Sequence, residues 1–369
     1  MPDRSPLDVI KPEIRQASAY TLEHLAADVK LDQNENPHEI PDFLKKKVAE
    51  RFDQFEWGRY PEFVPTRILG ALERFTGWPR EGILAGNGSN ELILATLVAT
   101  VGAGRVVTIP QPTFTLYKLL AASMGGDVHE VPLGEDLTFP VDALVDAARG
   151  SDVVIICSPN NPTGCVIDPE DLAVIASAAR GLVIVDEAYH EFSGQTIAPL
   201  LERFDNLIVL RTFSKAMSMA GLRFGYMLGN PALVAQVNKV KLPYNVNVFT
   251  LLAAEVLLEE STAIEASIRA LIEQREHLRE ELGRLSGVEV FPSRANFLLF
   301  RTPHNAKVLF EELYQAGVLV RNVSHYPMLD RCLRVTVGTP DQNDKFMGAL
   351  GRSLENLHES AVGRKAPKD

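Results

Sequence analysis

The chain has 369 residues, 46% hydrophobic, 7% aromatic and 23% charged, proportions of an ordinary globular protein that exclude disordered, collagen-like and disulfide-scaffold chains. Its 37 Lys and Arg against 48 Asp and Glu leave a formal net charge of −11 without a basic domain or stripe, which argues against a nucleic-acid partner. Three cysteines, Cys157, Cys165 and Cys332, lack CxxC or Cys/His spacing, so no disulfide framework and no metal site is expected, and a reducing cytoplasm is the expected compartment.

The first 36 or so residues show no sheet pattern and read as an arm packed elsewhere; they lack the apolar run of a signal peptide. No uncharged apolar stretch in the chain approaches the ~18 residues that span a bilayer, so no membrane association is expected. From Glu81 to Leu228, short β-branched runs alternate with longer amphipathic ones. RVVTIP, GGDVHEVPL, DVVIICSP, GLVIVDEAY, NLIVLRTFS and FGYMLG predict strands whose continuous apolar character fits a parallel sheet buried on both faces by helices. Between two of them, DPEDLAVIASAARG predicts a helix with Asp168 as N-cap, Pro169 at its first position and Gly181 ending it. Beyond Pro243, the segment from Thr250 to Leu285 predicts one long helix closing at Gly287. ANFLLFR, NAKVLFEELYQAG, GVLVRNV, CLRVTVGT and a last helix after Asp341 then describe a smaller α+β unit.

Four polar turns follow strands in the larger unit, at the carboxyl edge where open α/β sheets bind ligands. The first, Gly86-Asn87-Gly88-Ser89-Asn90-Glu91, opens a helix; it reads as an anion site made of backbone and helix N–H groups, or as a Gly-rich turn with Ser89 as cap. The second, Ser158-Pro159-Asn160-Asn161-Pro162-Thr163-Gly164, is a rigid loop that offers two side-chain amides to a ring oxygen, or is a structural turn. The third, Asp186-Glu187-Ala188-Tyr189, places a carboxylate at the exit of a buried strand, where it needs a hydrogen-bonded or cationic partner such as a protonated heterocycle nitrogen. In the fourth, RTFSKAMSMAGLR, Lys215 lies among small, apolar and hydroxyl residues with Arg223 eight positions on, the surroundings of an activated amine rather than of a solvated one. Together these turns are the inventory for holding pyridoxal 5′-phosphate, with the lysine binding its aldehyde and the aspartate against its pyridinium nitrogen.

In that order, GNGSNE, SPNNPTG, DEAY and SKAMSMAGLRFGY resemble the fold type I pyridoxal-phosphate aminotransferases. LDQNENP, RYPE, LPYNVN, ANFLLF, GVLVRNVS and LRVTVGTPDQND narrow the resemblance to the histidinol-phosphate aminotransferase family, from Tyr20 to the final helix. The resemblance implies an α/β fold with an arm at residues 1–36, a large cofactor domain at 37–250 with a mostly parallel sheet, a small α+β domain at 251–369, and a homodimer with its sites at the subunit boundary. It implies Lys215, Asp186 and Tyr189 as catalytic residues: Lys215 carries the cofactor, Asp186 pairs with its ring nitrogen, and Tyr189 with Asn161 bonds its phenolic oxygen. Tyr117 would stack on the ring, while Ser89, Asn90, Ser214 and Arg223 would hold the cofactor phosphate with Tyr60 from the other subunit. Arg321 and Arg334, with Tyr20 and Asn90, would bind the substrate's own phosphate. His38-Glu39-Ile40 departs from the small, Gly-containing stretch that the family carries after NENP.

The activity so implied is reversible transamination between L-histidinol phosphate and 2-oxoglutarate, giving imidazole-acetol phosphate and L-glutamate in histidine biosynthesis. An aromatic amino-acid aminotransferase and an amino-acid-phosphate decarboxylase would use the same cofactor. A ligand-sensing module of the same fold would need an appended DNA-binding segment and a basic patch, for which the chain has neither spare length nor charge.

Overall fold

A computed structural model describes residues 5–19 and 25–363. In chain order the first part forms α1 (Pro12–Gln16), β1 (Val29–Lys30), α2 (Asp42–Asp53), α3 (Thr66–Thr76), β2 (Ile83–Gly86), α4 (Ser89–Thr100), β3 (Val106–Gln111), α5 (Leu116–Ser123) and β4 (Asp127–Pro132). Next come α6 (Val141–Gly150), β5 (Val153–Cys157), α7 (Pro169–Ala178), β6 (Leu182–Asp186), α8 (His190–Ser193), β7 (Leu207–Thr212), β8 (Gly225–Gly229) and α9 (Pro231–Asn238). The remainder is α10 (Val248–Glu259), α11 (Thr262–Arg284), β9 (Glu289–Val290), β10 (Phe297–Arg301), α12 (Ala306–Gln315), β11 (Val318–Leu319), β12 (Arg321–Asn322), β13 (Cys332–Thr336) and α13 (Pro340–Gly363).

A seven-stranded sheet in the order β2-β8-β7-β6-β5-β3-β4 forms the larger unit. Its strands run parallel from β4 to β7, and β8 alone is antiparallel to both its neighbours. The six expected strands are present, and a seventh, β2, precedes the glycine loop. Strands β5 to β8 are buried along their whole length because side chains alternate between two apolar layers. Val183 and Val185 face one core with α2, α3, α6, α7 and α10, whereas Leu182 and Ile184 face the other with α4, α5 and α9.

The four-stranded antiparallel sheet β12-β13-β10-β9 carries the smaller core, in which Leu298, Phe300, Leu333 and Val335 meet α11, α12 and α13. Three local expectations are corrected here. The arm does contribute to a sheet: β1 pairs in parallel with β11, which buries Val29 and Leu31 in the smaller core. Two residues long, β1 is too short to show a period. The single helix expected over 250–285 is broken at Glu260-Ser261, because α10 packs on α2 and α3 while α11 crosses to α8 and to β9 and β10. Residues of α10 therefore sit with the larger sheet's helices, although the boundary expected from sequence falls at 250. Finally, α7 starts after Asp168 as expected, but that side chain makes no cap bond and the helix ends at Ala178. Gly181 serves close packing instead, since a Cβ there would lie 2.0 Å from the Asp152 carbonyl oxygen.

Candidate active site

The four turns converge because β2, β5, β6 and β7 are parallel to one another, so their carboxyl ends open on the same edge of the sheet. The cleft there is lined by Ser89, Asn90, Tyr117, Asn161, Asp186, Tyr189, Ser214, Lys215, Arg223, Arg321 and Arg334. Two expected residues do not appear in it. Tyr60 lies outside, 82% exposed, with its ring stacked on Tyr244 at 4.6 Å. Tyr20 lies outside the described residues.

At the glycine loop, Gly88 takes φ +81° and becomes the N-cap of α4, which turns the first N–H groups of that helix toward the cleft. Backbone and guanidinium approach closely here. A Cβ on Gly88 would come within 2.6 Å of Arg223 Nη2, and one on Gly225 within 2.4 Å of the Ser89 nitrogen. Arg223, itself in the left-handed region at φ +58°, donates through Nη1 to Ser214 Oγ at 3.1 Å and to the Ala220 carbonyl at 3.2 Å. Free N–H groups, a hydroxyl and a guanidinium around one concavity are the donor set for a phosphate.

Asp186, at the end of β6, is buried. Its carboxylate accepts from the Tyr117 hydroxyl at 2.7 Å and from the Ala188 N–H at 3.1 Å. Burial pushes its pKa up to about 6, against the pull of those two donors. Beside it, the Glu187 carboxylate is neutralised by Arg211 at 3.0 Å and also accepts from Thr196, so the second acid of the motif braces β6 to β7. Lys215 points its Nζ at the Gln33 carbonyl, 2.8 Å away. Burial, reinforced by the positive charges of Arg334 and Arg223, lowers its pKa to about 7, so near neutrality a large fraction of this amine is deprotonated and nucleophilic.

The two amides of the rigid loop divide their roles. Asn160 is spent inside the loop, where it accepts from Thr113 and donates to the Pro112 carbonyl and to Thr163; it does not line the cleft. Asn161 faces the cleft, and its Oδ1 accepts from Arg334 Nη1. The other end of Arg334 donates to the Asp32 carbonyl at 2.6 Å. Arg321 is the cross-strand partner of Arg334 in the β12–β13 pair, which sets two guanidinium-bearing residues side by side at the small-sheet wall.

Sequence reasoning about single motifs missed Asp32, Gln33, Asn34, Phe114, Thr212, Val323 and Tyr326, all of which also line the cleft. Asn34 is the most connected: its Nδ2 donates to the Tyr189 hydroxyl, its N–H donates to Thr336, and its carbonyl accepts from Asn296. The signal available for it was the polar run LDQNENP, too dense in hydrogen-bonding groups for an ordinary linker.

The model of the family described as Aminotransferase class I and II matches residues 26–350. The chain belongs to the class I and II aminotransferases. Its relatives include histidinol-phosphate aminotransferases of Chlorobaculum parvum, 39% identical over 93% of this chain and 97% of that one, and of Chlorobium phaeovibrioides, 41% identical over 92% and 96%. Among solved structures, the histidinol-phosphate aminotransferase of Clostridium acetobutylicum is 26% identical with a TM-score of 0.83, over 89% of this chain and 99% of that one. The L-threonine-O-3-phosphate decarboxylase of Porphyromonas gingivalis is 25% identical with a TM-score of 0.77 over the same shares.

This family of aminotransferases works with pyridoxal 5′-phosphate. The residues present fit the group: a phosphate cradle that added Cβ atoms would fill, a buried carboxylate suited to a pyridinium nitrogen, and an amine near neutrality on the same edge. Among the described residues no cluster of His, Cys, Asp and Glu is arranged to hold a metal ion, and no helix is long and apolar enough to cross a membrane.

Proposed function

We propose that this aminotransferase exchanges the amino group between L-histidinol phosphate and 2-oxoglutarate, giving imidazole-acetol phosphate and L-glutamate, a step of histidine biosynthesis. The observation that carries the substrate is the cross-strand pair Arg321 and Arg334 on the wall of the cleft that holds Lys215. A dianionic phosphate uses two guanidinium groups at once, whereas a carboxylate is satisfied by one bidentate arginine. The names of relatives 39 to 42% identical over nearly the whole chain support the same reading.

When bound, pyridoxal 5′-phosphate supplies an electron sink for the charge that develops when a substrate Cα loses its proton. Lys215 would hold the cofactor through its aldehyde and, as a free amine, would serve as the base and acid that takes the proton from the substrate Cα and delivers it to the cofactor's aldehyde carbon. Asp186 keeps the pyridine nitrogen protonated. Tyr189 accepts from Asn34, which leaves its own O–H to donate toward the phenolic oxygen; Asn161 likewise has its oxygen engaged by Arg334 and its NH₂ available. Tyr117, anchored through its hydroxyl to Asp186, presents its ring to the cofactor's, and Ser89, Asn90, Ser214 and Arg223 bind the cofactor phosphate. Asn90 joins the arginines at the substrate phosphate. Tyr60 reaches the site of a second copy: Tyr60 and Phe63 both pack on Tyr244, and with Trp57 they stay more than 60% exposed, so we place the homodimer interface there. The reducing cytoplasm remains our compartment for three thiols that are all free.

The purified holoenzyme, assayed in parallel with histidinol phosphate, phenylalanine and O-phosphothreonine, is expected to prefer histidinol phosphate in kcat/KM. Arg321→Ala should lower that value by roughly 10- to 150-fold, the worth of a hydrogen bond to a charged group, while a phenylalanine side activity changes much less and Arg334→Ala impairs both. Equal losses for both substrates in the Arg321 variant would remove the phosphate-selective site. Carbon dioxide released from O-phosphothreonine would assign the decarboxylase reading instead.

A further inference from the structure

Outside the residues already given roles, one side chain of the smaller unit reaches across the cleft to the larger one. Tyr326 lines the cleft, and its hydroxyl lies 2.7 Å from the Thr115 hydroxyl, 211 positions away in the chain.

The two ends of this contact sit on differently built supports. On the Thr115 side, the residue is the N-cap of α5, where a threonine hydroxyl ordinarily accepts from the first-turn N–H groups of its own helix. Thr115 makes no such cap bond, and its hydroxyl is committed to Tyr326. Its neighbours are Phe114 and Tyr117, which both line the cleft and meet edge to face at 5.5 Å, and the Tyr117 hydroxyl continues to Asp186. On the Tyr326 side, the loop between β12 and β13 is pinned by buried Val323 and Leu329. The Tyr326 N–H donates to the Val323 carbonyl, and Arg301 donates to the carbonyls of Met328 and Asp330. Arg301 is in turn paired with Glu289 and laid over the Phe291 ring at 5.0 Å. A hydroxyl on a braced loop loses little entropy in making its bond, so the bond acts on the relation of the two units and not on the loop's own order.

We infer that Tyr326 is a positioning residue of the aminotransferase, a latch that holds the small-sheet wall bearing Arg321 and Arg334 against the Phe114–Tyr117 wall and so sets the width of the cleft for either amino substrate. The inference rests on the transaminase activity and on no choice of phosphorylated substrate, since glutamate enters the same cleft.

The test is steady-state kinetics of the holoenzyme variants Tyr326→Phe and Thr115→Val and of the double variant. Each removes one hydroxyl and keeps the ring or the branched shape. Each single variant should raise KM for glutamate and for the phosphorylated amino donor together by about three- to tenfold, the worth of one neutral hydrogen bond, with kcat changed less than twofold. The double variant should be no worse than either single one, because both remove the same bond. The visible absorption of the bound cofactor should stay at its wild-type value, and the thermal midpoint should fall by no more than a few degrees, the shift expected for one hydrogen bond. Unchanged KM values, or multiplicative losses in the double variant, would overturn the latch. A KM rise confined to the phosphorylated donor would also overturn it and make Tyr326 a wall for that donor's ring. If no phosphorylated donor is turned over, the substrate assignment fails while the glutamate measurement still decides the latch.

Discussion

Lys215 and Asp186 carry pKa shifts of opposite sign with the same leading cause, burial of a charge at the sheet edge. The lysine, lowered from 10.5 to about 7, binds fewer protons in the folded than in the unfolded chain between those pH values, so stability rises with pH across that window. The cost of sequestering the amine is therefore fully present below about pH 7 and fades toward pH 10.5. Asp186, raised from 3.8 to about 6, works the other way: the folded state holds more protons in that window, so its cost is fully present above about pH 6. In cofactor-free protein, Lys215→Met should raise the urea midpoint relative to wild type at pH 7, with the gap shrinking as pH approaches 10. A gap that does not vary with pH would show that the amine is not sequestered in the apoprotein. The aspartate and lysine were legible from the chain because Asp186 ends an apolar strand and Lys215 follows another by three residues. Gln33, whose carbonyl holds the lysine, was not, since any residue can offer a carbonyl.

At the scale of elements, the phosphate cradle is made where the start of α4 meets the start of β8. Gly88 answers two demands at once, a left-handed backbone and the nearness of Arg223, which cannot retreat without giving up Ser214 and the Ala220 carbonyl. Gly88→Ala should therefore cost about 1 to 2 kcal/mol of stability from the backbone alone. It should also weaken cofactor retention at least about tenfold, since a displaced Arg223 forfeits a charge-assisted bond. Gly102→Ala, beyond the other end of the same helix with nothing within 4 Å of the added carbon, is the control and should leave retention unchanged. Cofactor absorbance after gel filtration, with urea melts, reads both. Some elements were visible in advance: β5, β6 and β7 are continuous apolar runs, and NAKVLFEELYQAG folds into α12, where the structure adds an Asn305 cap that accepts from Lys307 and Val308. The break between α10 and α11 was not, because nothing local stops a helix at Glu260; the two halves part only because they pack on different sheets.

For the whole molecule, the exposed aromatic patch and the site are linked through the 241–247 segment. Tyr244 stacks on Tyr60, and its neighbour Asn245 donates to Glu91, which also accepts from the Asn87 N–H in the glycine loop. If Tyr60 serves a partner's site, the inactive Lys215→Ala protein and an inactive Tyr60 variant, mixed under proven subunit exchange, should recover part of the wild-type activity. Half of the mixed dimers' sites would then hold both an intact lysine and an intact tyrosine. Absence of any recovery would place Tyr60's role within its own subunit or remove it.

By itself the sequence determined the sheet, its strand-end turns and the identity of the groups they present, because strand, turn and helix start are local and each leaves a pattern within about ten residues. Tertiary structure alone decided how the cleft is closed. Asp32, Gln33 and Asn34 enter from an arm with no readable period, Arg334 spans from Asn161 to the Asp32 carbonyl, and Tyr326 meets Thr115. These contacts join segments 173 to 302 positions apart. Their partners are brought together by two separately built cores, and burial, which drives that assembly, is non-directional and leaves no mark at the residues that happen to meet.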